Sequence, residues 1–124
     1  MSPNSQARSA YATGAVRTAR GSEYAIFAKI THALRALDET DKAAYPALAR
    51  AVTDNLRLWG ALATDLRSDG NQLPDALRAS LISLAEFVRK HSMAVLGGRG
   101  SIAVLIDINT SIMKGLRGEV EAVA

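Results

Sequence analysis

The chain has 124 residues and no cysteine, which is enough for one domain with its own core and excludes disulfides and thiolate metal sites. Apolar residues make up 48% but aromatics only 5%, a mix of Leu, Ile, Val and Ala that favours packed helices over a β-sandwich. The net charge of +3 is carried by Arg8, Arg17 and Arg20, because beyond residue 20 the basic and acidic side chains balance; this argues against a folded basic face for nucleic acid.

Residues 1–21 are rich in Ser, Ala, Thr and Gly, with Tyr11 and Val16 as the only larger apolar anchors. They read as a flexible arm, either ordered against a partner or a passive terminus. The arm has no apolar h-region, so no secretory signal is expected and the expected compartment is the cytoplasm. No apolar run approaches the roughly 20 residues of a membrane span.

Residues 22–124 read as a single helical domain. Ser22 is the expected N-cap of a first helix, with Glu23 in the turn where the helix dipole favours negative charge. That helix is predicted from Glu23 to Leu37, with Phe27, Ile30, Leu34 and Leu37 on a broad apolar face. Asp38 to Asp41 should close it.

The second helix is predicted to start between Lys42 and Pro46 and to reach Arg67, since proline is tolerated in a first turn. Its apolar residues, Leu48, Val52, Leu56, Trp59, Leu62, Ala63 and Leu66, fall within about 120° of arc. Trp59, the only tryptophan, is the expected core anchor. Gly60 costs the helix about 1 kcal/mol against alanine; either another helix comes close there or the residue is incidental.

Ser68 to Asn71 is a breaker cluster, and Pro74 is expected at the first position of a third helix. Leu77, Leu81, Leu84, Val88 and Val95 form its stripe, and Gly97, Gly98 and Gly100 end it. Ser101 then caps a fourth helix, predicted from Ile102 to Arg117 and stopped by Gly118. Residues 103–108 also suit a short strand by propensity, but Ile102, Leu105, Ile106, Ile112, Met113 and Leu116 share one helical face.

Few residues suggest chemistry. His32 and His91 lie on different predicted helices without further ligands at metal spacing. There is no nucleophile elbow, and the glycines after residue 96 lack the Lys-Ser/Thr ending of a phosphate loop. Neither enzyme activity, a metal nor a cofactor is expected. Asn55 and Asn109 each sit at the centre of an apolar stripe. A buried amide without partners costs about 1–3 kcal/mol, so the two are expected to bond each other or nearby backbone; a wet groove at each helix end is the alternative.

Several stretches, taken in order, are similar to one family. They are Asn55-Leu56-Arg57-Leu58-Trp59, Asn71-Gln72-Leu73-Pro74 with Leu77-Arg78, and residues 81–88 (LISLAEFV). Leu105-Ile106-Asp107-Ile108-Asn109 follows, with Ile112 and Gly115-Leu116, and Ala10-Tyr11 matches a short element near the N-terminus. Together they resemble the FlaF family of bacterial flagellar biosynthesis regulators. Before residue 45 the likeness is confined to the Tyr11 element and a general helical pattern.

The resemblance implies a non-enzymatic factor for flagellin production, a chaperone or secretion-linked adaptor of flagellin that works with or against FlbT. The expected fold is an all-α bundle of four principal helices with the core in the last three. The first helix would be partner-facing, taking a flagellin helix against Phe27, Ile30 and Leu34, with Tyr11 and the arm closing over it. Two other readings stay open: direct contact with flagellin mRNA through Arg8, Arg17 and Arg20, and a plain homo-oligomerisation module.

Overall fold

The computed structural model describes the backbone of residues 23–123 and the side chains of residues 23–116. The arm over residues 1–21, including Tyr11 and its three arginines, and the expected cap Ser22 lie outside the described residues. The protein is an all-α bundle of four helices, with no strand among the described residues. Helix α1 covers residues 23–35, α2 Tyr45–Arg67, α3 Asp75–Leu96 and α4 Ile102–Val123.

Each connection follows from local chemistry. After α1 the backbone tightens, with the Leu37 N–H on the Leu34 carbonyl at 3.3 Å. Asp38 then folds a turn by accepting from the Thr40 N–H at 2.9 Å and from its hydroxyl at 2.6 Å. Asp41 caps the single 3-10 turn Lys42–Ala44 through the Ala43 N–H, and Pro46 enters α2 in its first turn.

Pro74 stands one position before α3 rather than inside it, with ψ 145°. It acts through its carbonyl, which takes the Arg78 N–H at 2.9 Å. Gly98 adopts φ 76°, the left-handed region that glycine enters at no steric cost. The strand alternative for residues 103–108 does not occur. Gly118 does not stop α4, which runs on to Val123; a single helical glycine costs only about 1 kcal/mol, and no proline follows to enforce a break.

The helices alternate in direction. Phe27 of α1 meets Trp59 of α2 edge to face, with ring centroids 5.8 Å apart at 86°, a favoured aromatic geometry. Tyr45 at the start of α2 donates its hydroxyl to the Leu96 carbonyl at the end of α3. The core is a single cluster of Phe27, Leu34, Val52, Trp59, Val88, Val95, Ile102, Leu105, Met113 and their neighbours. It therefore draws on all four helices. The expectation of a core confined to the last three fails, because Phe27, Thr31 and Leu34 of α1 fall on one side of that helix and are all buried.

A buried polar cluster and two surface grooves

Thr31, Asn55 and Asn109 are completely buried where α1, α2 and α4 meet, beside Trp59 at 2% exposure. The indole N–H is a donor only, and it donates to the Asn109 Oδ1 at 2.9 Å. That bond fixes which way the Asn109 amide points. Its Nδ2 must then donate, and it reaches Asn55 Oδ1 at 2.8 Å and Thr31 Oγ1 at 3.1 Å. One ring thus sets the polarity of the whole cluster. Asn55 Nδ2 has no partner. The asparagines meet side chain to side chain, so neither lies at a wet helix end; Thr31 and Trp59 complete the set.

A second group of bonds fastens one end of the bundle. Glu39, from the α1–α2 connection, accepts from the Ile102 N–H at 2.9 Å and from the Ser101 hydroxyl at 3.3 Å. Ser101 in turn accepts from the Ala103 N–H. The start of α4 is therefore capped by its own serine and by a carboxylate 63 positions away, where the helix dipole favours negative charge. His91 Nε2 lies 2.8 Å from the Ser101 carbonyl, which makes this histidine a connector between α3 and the α4 turn. His32 is exposed, and no group of three metal-ligating side chains occurs among the described residues.

The partner-facing placement on α1 needs correction. Phe27 is 3% exposed and Leu34 is fully buried, so a helix cannot dock on them while α1 is seated. Phe27→Asp would break the core rather than report on a surface. Ile30 alone of the three stays half-exposed. It lines a broad, open groove between α1 and α2 with Ile26, Lys29, Asp54, Arg57 and Leu58. Tyr11 lies outside the described residues.

A narrower groove of about 210 Å³ runs between α2 and α3, lined by Leu56, Trp59, Gly60, Ala63 and Arg67 on one side and Ala85, Glu86 and Arg89 on the other. Gly60 is exposed, and a Cβ there would meet nothing within 4 Å. The close helix approach that its sequence position suggested is thus not made within the described residues. Glu86 is gripped by Arg89, with 2.6 Å to the guanidinium NH2 group. That bond holds the carboxyl below the usual carboxylate range against the opposing effect of burial, and the charges of Arg89, Lys90 and Arg67 add to it.

These features define a small all-α protein built around a polar lock, with shallow apolar grooves between its surface helices. Among the described residues, no helix is long and apolar enough to cross a membrane. The chain belongs to the FlaF family: the family model described as flagellar protein FlaF matches residues 6–116, which makes this a flagellar protein. No curated protein and no solved structure matches the chain.

Proposed function

We propose that the protein is a cytoplasmic, non-enzymatic regulator of flagellin synthesis and flagellum assembly. It binds flagellin as a chaperone or secretion-linked adaptor, and works with or against FlbT. The observation that carries this reading is the family match over residues 6–116, which covers the first three helices, most of α4 and the polar lock. Physical chemistry supports it. Flagellin's terminal regions form amphipathic helices in the filament, and an unassembled apolar stripe needs cover that another helical protein can supply between its own helices.

Light scattering of the purified chain mixed with its own flagellin tests the reading. A stable complex that keeps flagellin soluble is the expected result. Two separately migrating species, together with unchanged flagellin output in cells lacking the protein, would overturn it.

A further inference from the structure

We propose that α3 is a self-recognition helix: two copies of the chain pair antiparallel through one face of α3, about a twofold axis at Ile82. The partner is a second copy of this chain, and the pairing is independent of whether flagellin is also bound.

Asp75, Arg78, Ile82, Glu86 and Arg89 follow one another at steps of three, four, four and three residues. On a helix they share about 80° of arc. Their spacing reads the same from either end of α3, but their charges change sign. Reversal about Ile82 puts Asp75 opposite Arg89 and Arg78 opposite Glu86, so each acidic position meets a basic one. An antiparallel copy of α3 therefore presents the opposite charge at all four positions. That is the self-complementarity a twofold interface needs.

The side chains are already arranged for it. Asp75 pairs with Arg78, and Glu86 with Arg89, one turn apart along the helix. These pairs hold the charges on this face. Asp75 and Arg89 are exposed, and Arg78 and Glu86 are half-buried, so none is sealed from a partner. A carboxylate can accept from a second guanidinium while keeping its first. At the centre, Ile82 is half-buried, yet it is not among the side chains packed against the core. Beside it stands the small, exposed Ala79, which lets a second helix come close. In the pair, each Ile82 covers the other.

The same symmetry is missing on the outer side of α2. No reversal of that helix sets Arg50, Asp54, Arg57 and Asp65 all against opposite charge. Leu77 and Phe87 of α3 are also exposed, but both lie about 140° round the helix from Ile82. They belong to a different face, which gives the experiment its control.

Sedimentation equilibrium of the full chain should show monomer and dimer with a Kd of about 100 µM or tighter, because a single-helix face is smaller than a standard interface. Arg78→Glu alone and Glu86→Arg alone each set like charges together twice in the dimer, and each should weaken self-association at least about tenfold. An equimolar mixture of the two variants should dimerise again, because position 78 of each then faces the opposite charge at position 86 of the other. A loss caused by misfolding is not rescued by mixing. The chain has no cysteine, so Ile82→Cys should cross-link to its own copy on oxidation, whereas Leu77→Cys should not. A wild type that stays monomeric at about 1 mM overturns the proposal. So do single variants that dimerise as well as the wild type, a mixture no better than its components, or cross-linking through position 77 in preference to position 82.

Discussion

Asn109→Ala is the sharpest perturbation of this fold. It removes the acceptor of the Trp59 indole N–H and the donor to Asn55 Oδ1 in one step, at bond lengths of 2.9 and 2.8 Å. Both stranded groups are buried, and each costs about 1–3 kcal/mol when left without a partner. The expected loss is thus about 4 kcal/mol, a large share of the 5–15 kcal/mol that holds a typical domain together. At roughly 4 °C per kcal/mol for a chain of this size, the thermal midpoint should fall by about 15 °C. Asn55→Ala should cost less, about 1–2 kcal/mol, because Asn109 Nδ2 keeps Thr31 and the unpartnered Asn55 Nδ2 disappears with the side chain. Urea unfolding followed by circular dichroism at 222 nm reads all three proteins without relying on Trp59. A loss below about 1 kcal/mol in Asn109→Ala, or a larger loss in Asn55→Ala than in Asn109→Ala, would refute the idea that the indole organises the cluster.

The remaining predictions concern single groups. Glu39→Ala should destabilise the protein by about 1 kcal/mol, the usual cost of a lost N-cap, and should speed hydrogen exchange at Ile102; unchanged exchange there would show that Ser101 caps α4 unaided. Ser92→Ala should be neutral or stabilising in chemical denaturation, because the hydroxyl is fully buried and has no partner to lose. The Thr40 hydroxyl, and after it the Thr40 N–H, hold the Asp38 carboxyl below its ordinary value of 3.8. Its contribution to stability is therefore present above that value and is lost as pH falls through the lowered folded pKa. A carbon-13 NMR titration should show the lowered midpoint, and Thr40→Val should bring it back toward 3.8.

The stripe of α2 was legible in the sequence because its apolar residues repeat at the helical period over six turns. The two asparagines stood out for the same reason, as polar groups at positions where an apolar residue would otherwise sit. Thr31 did not stand out, since a threonine hydroxyl suits either face of a helix and only the bond to Asn109 shows which one it serves. Glu39 carries no local signal at all. Its partners are 62 and 63 positions away, and sequence spacing says nothing about a cap supplied from that distance. Phe27 and Leu34 were read correctly as apolar, but periodicity does not tell an apolar face that meets its own bundle from one that awaits a partner. Gly60 erred the other way: a helical glycine suggests close approach, and the approach is absent among the described residues.

The two ends of the bundle differ in how they tolerate changes of length. At one end, Glu39 holds Ser101 and Ile102, and Tyr45 holds Leu96, so both loops there are measured against each other. Among the described residues, Ser68, Asn71 and Leu73 at the other end bond to residues between 65 and 78. A few extra residues spliced in after Asp69 should leave the bundle standing, whereas the same splice after Thr40 or Gly98 should loosen the tether between the two loops, so a reporter tag belongs at the former site.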